Sequence, residues 1–464
     1  MDRQLLISAG PGEWRAALLE EGIPVELFVE RGDRSETGSI HLGRVRQLAP
    51  ALDAAFVDIG GDRPAFLPQG EVLPRGSRLN EGERVVVQIL REAQGGKAAR
   101  VTMAAILRGR LVELIVGRRG SADGAALLTQ LAPTLTLPRS RGREGASLPR
   151  GNGGGQGWGL RFLEPAPVEA LAVEAAALAR RWHDILDRAS QLEPPARLDP
   201  AASFPAALAG SLPGAPDEIL ADAPAAIPEL RAAFPDSAIA HLPETSWPID
   251  LDAVFDEALS GTIALPGGGL VHFEATRAGM LIDVDTGTPE TGSPQRTGLM
   301  ANLAAAGTIA RQIRLRNLGG GVVVDFVGLD SRPAREKLRA ALAQALAPDP
   351  AAPQLLGWTR LGHFELVRPR RGRPLAEVLL EPRSGGGFVK TAVTVSHEAL
   401  RAVRRAARAQ AGRRWRVTVA PEVAAALAGV AAPAVRQAEQ RFAPGIAIEA
   451  DPGYQRERFQ ISAL

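Results

Sequence analysis

Apolar positions along the chain change period from segment to segment, and those changes divide it into parts. Gln4–Ser8 and Pro24–Glu30 read as strands, whereas Glu13–Glu20, rich in Ala, Leu and Glu, reads as a short helix. Five short alternating runs follow, separated by Gly and Pro: Ser39–Arg46, Ala54–Gly61, Pro64–Pro68, Glu81–Leu90 and Arg100–Met103. That spacing predicts a small closed barrel. Between Leu131 and Gly159 the periodic apolar content gives way to Gly, Arg, Ser and Pro, the composition of a flexible insertion. Its glycines are not followed by Gly-Lys-Ser/Thr, so it is no phosphate-binding P-loop.

Helical periodicity returns at Val168–Asp187, and a Pro/Ala-rich connection runs on to Pro213. Short pieces alternate next: Pro216–Ala221, Ile227–Phe234, Ile239–Leu242 and Leu251–Ser260. The most regular part contains strands at Gly269–Ala275 and Gly279–Asp285 and a long helix from Leu299 to Arg316. After it come a strand at Val322–Val327, a helix at Pro333–Leu346 and a strand at Leu361–Val367. Such alternation predicts a layered α/β domain. Past a hinge at Arg383-Ser-Gly-Gly-Gly, helices at His397–Arg408 and Pro421–Gln440 and strands at Arg414–Val419 and Ile446–Glu449 make a final α/β piece.

With 45% hydrophobic and 23% charged residues, the 464-residue chain has ordinary globular usage, enough for several cores. The absence of cysteine excludes disulfides, thiolate zinc sites and cysteine nucleophiles. No run has the length of a membrane span, and the N-terminus lacks the pattern of a signal peptide, so a cytoplasmic protein is expected. Net charge is only +2, but the basic residues are nearly all arginine; lysine occurs at Lys97, Lys337 and Lys390 alone. Arginine suits phosphate and base contacts. A GC-rich coding sequence produces the same bias, so composition by itself does not establish nucleic-acid binding.

Three carboxylates stand out. Asp283 and Asp285 end an apolar strand two residues apart, hence on one face, and Asp325 interrupts Val-Val-Val-x-Phe-Val. An aspartate in so apolar a strand needs a partner or a metal. Hard oxygen ligands without cysteine suit Mg²⁺ or, in its place, Mn²⁺; turn-capping aspartates are the structural alternative. Arg311 and Arg314 lie three apart on the preceding helix, and Arg360, Arg368 and Arg370 flank the later strand, where arginines could meet phosphate. In the barrel, Phe56, Phe66 and Lys97 have the character of a single-strand stacking platform, although core burial of at least one phenylalanine is the ordinary expectation. The six histidines form no His-x-x-x-His pair, and no Gly-x-Ser-x-Gly elbow occurs.

These residues together resemble the catalytic half of the ribonuclease E/G family of bacterial endoribonucleases, nearly end to end. The resemblance is carried by Met1–Glu30, Gly43-Arg-Val-Arg-Gln-Leu-Ala-Pro-Ala-Leu-Asp-Ala-Ala-Phe-Val-Asp-Ile-Gly and Ala65-Phe-Leu-Pro. Its most specific part is the long run from Asn302 to Phe326, and Thr359-Arg-Leu-Gly-His-Phe-Glu-Leu follows. It implies an α/β multi-subdomain fold. A ribonuclease-H-like subdomain (1–35 and 201–260) would be interrupted by an OB-fold barrel (36–117) and a degenerate 5′-sensor region with the Gly/Arg insertion (118–200). A deoxyribonuclease-I-like catalytic subdomain (261–382) and a small C-terminal α/β domain (383–464) would complete the chain.

By the same resemblance, Asp283 and Asp325 are the Mg²⁺ ligands, and Phe56, Phe66 and Lys97 grip single-stranded RNA; from their own placement in the sequence, Asp285 joins the two aspartates as a catalytic candidate and Arg311, Arg314 and Arg360 are candidate RNA contacts. The implied activity is a Mg²⁺-dependent endoribonuclease of RNA processing or decay that leaves 5′-phosphate and 3′-hydroxyl ends. In length the chain is more like the ribonuclease G branch. The competing reading is a catalytically impaired RNA-binding protein of the same fold.

Three departures from the family pattern bear on that choice. Asp285 stands where the family has asparagine, and an ionised aspartate cannot donate a hydrogen bond to phosphate. The family's Arg-Thr phosphate grip is replaced by Gly159-Leu-Arg-Phe-Leu-Glu-Pro165. The zinc-binding Cys-x-x-Cys link gives way to the region around Arg383, so no zinc is expected and a zinc-linked dimer is excluded for want of thiolates. From the second departure we predict little or no preference for 5′-monophosphorylated RNA. Cleavage of one oligonucleotide carrying either a 5′-phosphate or a 5′-hydroxyl checks this, and a large preference for the phosphate would refute it.

Overall fold

The computed structural model describes residues 2–31, 36–93, 98–109, 111–117, 158–163, 167–200, 202–286, 294–329, 331–383 and 386–464. The Gly/Arg-rich insertion as far as residue 157, Lys97 and Glu164-Pro165 lie outside the described residues, whereas Trp158 and Gly159, expected at its end, open a strand. Two compact units form: one contains Met1–Asp33 and Ala215–Leu464, the other Arg34–Gly214.

The chain opens with a three-strand antiparallel meander, β1 (Arg3–Gly10), β2 (Glu13–Glu20) and β3 (Ile23–Arg31). Glu13–Glu20 is therefore a strand and not the expected helix. Its helix-forming composition is overridden because the segment pairs on both sides and most of it is buried. The signals for that outcome are the tight turns before and after it, at Gly12 (φ 65°) and at Glu21-Gly22 (φ 51° and 76°).

The second unit contains β4 (Ile40–Ala49), β5 (Ala54–Asp58), β6 (Ala65–Pro68), β7 (Arg84–Arg91) and β8 (Arg100–Thr102), at the positions the alternating runs predict. β4 pairs with both β5 and β7, which closes the five strands into an OB-like barrel. A three-stranded sheet follows, from β9 (Ile106–Arg108), β10 (Val112–Val116) and β11 (Trp158–Phe162). Helix α1 (Val168–Gln191) lays Leu171, Leu178, Trp182 and Ile185 on the same apolar core. The stretch up to Pro213 is more structured than a connection: β12 (Ala196–Asp199) adds to the barrel beside β4, and α2 is Phe204–Ser211.

Back in the first unit, β13 (Glu218–Ala221) and β14 (Ala238–His241) extend the opening meander in parallel with β1, with α3 (Ile227–Ala233) between them and α4 (Leu251–Leu259) after them. A six-stranded sheet follows, built from β15 (Thr262–Ala264), β16 (Leu270–Ala275), β17 (Gly279–Asp285), β18 (Gly320–Asp325), β19 (Gln354–Trp358) and β20 (Phe364–Arg368). Its spatial order is β15-β16-β17-β18-β20-β19. Helices α5 (Pro294–Leu315) and α6 (Arg332–Leu346) bury Ile309, Ile313, Leu338 and Leu342 with Val271, Ile282, Val284, Val322, Val324 and Phe364 of the sheet. The chain ends with α7 (Leu375–Leu379), a hairpin of β21 (Leu380–Pro382) and β22 (Phe388–Lys390), α8 (Ala392–Ala409), β23 (Trp415–Val419), α9 (Pro421–Ala428), α10 (Ala432–Arg441), β24 (Ile446–Ala450) and β25 (Phe459–Ala463). The expected helix at Pro421–Gln440 is thus two helices, and β25 completes a sheet on β23.

Charged groups, not only apolar ones, hold α8 to the opening sheet. Arg404 is fully buried, and its Nη2 donates to Asp222 Oδ2 at 2.5 Å, Glu244 Oε1 at 2.8 Å and Ser8 Oγ at 3.1 Å. One turn earlier, Arg401 pairs with buried Glu13, which also accepts from Arg31 at 2.8 Å. Burial alone would raise the Glu13 carboxyl, but Arg401, His397, Arg31 and Arg15 together hold it at about 2. Removing one partner from such a set strands the others without water. Arg404→Met should therefore lower unfolding free energy by about 3–5 kcal/mol, read from urea denaturation; a change within error of zero would show that the set is not coupled.

Candidate active site

Strands β17 and β18 owe their side-by-side placement to an apolar underside and to glycine at one end. They pair in parallel from Gly279↔Gly321 to Asp283↔Asp325. A Cβ on Gly279 would lie 2.4 Å from the Gly321 carbonyl oxygen, so a side chain there would push the strands apart. Period-2 alternation sends Ile282, Val284, Val322 and Val324 into the helix-covered core, and Asp283, Asp285 and Asp325 to the open face. Adjacent strands are about 4.8 Å apart, so register alone brings Asp283 and Asp325, 42 positions apart in sequence, to neighbouring points on one face.

The same register builds a polar row across the sheet. His272 pairs opposite Asp283, and Thr262 opposite His272, with Thr262 Oγ1 3.0 Å from His272 Nδ1. On the other side, one residue beyond the Val324↔Phe364 pair, His363 Nε2 lies 3.7 Å from Asp325 Oδ2. The row thus reads Thr262, His272, Asp283, Asp325, His363. Among the described residues, Asp283 has no hydrogen bond or ion pair, and His363 is the only basic group beside Asp325. Two neighbouring carboxylates without a compensating cation repel each other. Their hard oxygens suit a divalent ion of the Mg²⁺ class, which takes one or two carboxylates and keeps water in its other positions. No group of three or more His, Asp or Glu among the described residues could hold a metal by itself, so such an ion would draw its remaining ligands from water or substrate.

The segment after Asp325 is tied down from below. Asn302, fully buried on α5, donates to the Val327 carbonyl at 2.7 Å and accepts from the Val327 amide at 3.0 Å. Arg335 of α6 donates to the Leu329 carbonyl at 2.8 Å while its guanidinium sits 5.2 Å from the Trp358 ring. Phe326, Trp358 and Phe364 pack edge to face or tilted, with ring centres 5.1–6.4 Å apart. Neither end of the Asp325 backbone is therefore left to a loose loop.

The arginines expected beside the aspartates divide into two groups. Arg360 is exposed in the β19–β20 turn, three residues before His363. Arg314 is instead buried and paired with Glu26 at 2.7 Å and Glu20 at 2.8 Å, and Arg311 bridges Glu257 at 2.6 Å and the Pro24 carbonyl at 2.9 Å. Both join α5 to its neighbours in the fold, and Arg314 offers no free guanidinium to a substrate. Arg368 is likewise buried, in a two-point pair with Asp349. In the barrel, Phe56 and Phe66 form a cross-strand pair, ring centres 5.9 Å apart, and both are half-buried on its outer side. Neither is the core phenylalanine that composition favours, because their strand neighbours Ala55, Val57, Ala65 and Leu67 take the interior.

The sequence model of the Ribonuclease E/G family matches residues 163–371, a span that contains Asp283, Asp285, Asp325, Arg311, Arg314 and Arg360. Ribonuclease G of Escherichia coli (strain K12) is 27% identical over 504 aligned positions that cover 99% of both chains. The chain belongs to the ribonuclease E/G family. Ribonuclease G of Haemophilus influenzae is 28% identical over 437 positions, 86% of this chain and 87% of that one. Ribonuclease E of Nostoc sp. is 30% identical over 398 positions, 80% of this chain but 57% of that protein.

In this member of the ribonuclease E/G family, Asn302, His272 and His363 are site residues that sequence reasoning did not single out. Alternation alone would have put His272 on the Asp283 face, but only pairing across strands places it opposite. Asn302 is recognisable as a lone polar residue on an apolar helix face. Asn302→Ala should leave the Val327 amide and carbonyl without their partner and cost about 1–3 kcal/mol. Hydrogen exchange at Val327 checks this: the substitution should speed exchange there while leaving β18 unchanged, and an unchanged rate at Val327 would rule the clamp out.

Proposed function

We propose that the protein is a divalent-metal-dependent endoribonuclease that cuts single-stranded RNA in processing or decay, with Mg²⁺ or Mn²⁺, leaving a 5′-phosphate and a 3′-hydroxyl. The observation that carries this reading is the in-register pairing of Asp283 with Asp325 on an open sheet face. Family membership supports it, and the named relatives are ribonucleases G and E.

In this reading Asp283 and Asp325 hold the ion, with Asp285 at the edge of the same face. When bound, a divalent ion of this kind lowers the pKa of a water and stabilises charge on a phosphate. The chain's own residues do the rest. Asn302 and Arg335 keep the Asp325 end fixed, the open face admits an extended strand, and Arg360 offers a guanidinium to the backbone beside the pair. On the barrel, the Phe56 and Phe66 rings stack with bases, and Lys97 adds charge along the strand. The six-stranded sheet with α5 and α6 takes the part of the deoxyribonuclease-I-like subdomain. The meander with β13 and β14 takes that of the ribonuclease-H-like one, and residues 383–464 that of the small domain. No described helix is long and apolar enough to cross a membrane, which agrees with action on RNA in the cytoplasm.

The test is cleavage of a fluorescent AU-rich single strand with and without Mg²⁺. Asp283→Asn and Asp325→Asn should each reduce the rate by about a hundredfold or more while leaving binding in place. Phe56→Ala and Phe66→Ala should instead weaken binding by about 1–3 kcal/mol each. Cleavage indifferent to both asparagine variants would refute the assignment. Binding without cleavage by the parent protein would favour the impaired RNA-binding reading, for which the extra carboxylate of Asp285 is the specific observation.

A further inference from the structure

The open face of the six-stranded sheet is acidic where RNA would have to lie. Asp283, Asp285 and Asp325 share it with Glu274 of β16 and Glu365 of β20, all on the side away from the helices. A phosphodiester approaching this face meets five carboxylates. Even with a divalent ion between two of them, its remaining oxygens need hydrogen-bond donors. The residues that flank the aspartate pair in the polar row are His272 of β16 on one side and His363, just ahead of β20, on the other.

We infer that His272 and His363 are phosphate-binding residues: their ring N–H groups donate to the oxygens of the phosphodiester that lies across Asp283 and Asp325. This rests on the reading above and adds to it the groups that grip the substrate.

The geometry of each ring fits the task. Both residues are half-buried. His272 Nδ1 lies 3.0 Å from the Thr262 hydroxyl. With that hydroxyl donating, the ring carries its hydrogen on Nε2, the nitrogen left for substrate. His363 is held by its backbone: its amide donates to Thr359 Oγ1 at 3.1 Å and its carbonyl accepts from the Thr359 amide at 2.8 Å. Its Nε2, at 3.7 Å from Asp325 Oδ2, is beyond hydrogen-bond distance and so is not used up by that carboxylate. Three strand spacings separate the two histidines, about 14 Å between backbones. A gap of that width, with the aspartate pair inside it, has room for one phosphodiester group. A strand residue with no ligand to meet at either position could as well be apolar, like Leu281 and Val323 in the next row of the same face.

The experiment compares the parent protein with His272→Leu, His363→Leu, His272→Gln and His363→Gln, all confirmed folded by thermal melting. Steady-state cleavage of the fluorescent single strand is measured in Mg²⁺. In EDTA, spectra of ¹⁵N-histidine-labelled protein are recorded with and without the same RNA. The leucine variants should lose about ten- to a hundredfold in kcat/KM, the worth of a hydrogen bond to a charged group. The glutamine variants, which keep an N–H donor, should stay within about fivefold of the parent. The Nε2 signals absent from each variant's spectrum should be among those that RNA shifts in the parent. Leucine variants within about twofold of an active parent, glutamine variants as poor as leucine, or Nε2 signals unmoved by RNA would each overturn the histidine assignment and leave the nuclease reading standing. A parent that does not cleave at all would overturn both.

Discussion

The site depends on one constraint, the parallel register between β17 and β18. Neither aspartate has a useful environment alone. Each is an exposed carboxylate at the end of a strand, of the sort that caps turns in many proteins. Register turns them into a pair, and register is set from a distance: by the glycine contact at the far end of the strands and by the alternating apolar residues that a helical layer buries. A slip of one strand by one residue against the other would turn one aspartate to the helix-covered side, leave the other on the open face and so break the pair. The burial of valines and isoleucines on one face thus fixes the chemistry available on the other.

Much of this is legible in the residues. Alternation with Gly and Pro punctuation locates the barrel strands to within a few positions, because each strand has one dry face. The aspartates are legible for the opposite reason, since they interrupt apolar runs. What local pattern cannot supply is the state of a segment whose composition and pairing disagree. Glu13–Glu20 has the residues of a helix and becomes a strand because β1 and β3 cover both its edges. Cross-strand neighbours are equally invisible along the chain, and so His272 and His363 attract no notice until the sheet is assembled.

Arginine shows the same limit from another side. A helix face bearing Arg311 and Arg314 suggests phosphate, yet the fold spends them on Glu257, Glu20 and Glu26. Arg368 and Arg404 are used in the same manner, inside the protein. Arg360 is not. Whether an arginine serves the fold or a ligand is decided by carboxylates that come from remote parts of the chain, and sequence spacing carries no information about those. A protein with so little lysine must draw both its internal cross-links and its surface cations from one residue type.

The setting of Arg404 has a practical corollary for dissecting the molecule. Its partners Ser8, Asp222 and Glu244 come from the first strand and from the middle of the chain, so the carboxyl-terminal region supplies the counter-charge for segments translated long before it. A shortened clone that stops ahead of α8 would confront an aspartate and a glutamate with nothing to neutralise them. Loss of activity in such a truncation would then report a collapsed scaffold, whichever part of the protein does the cutting.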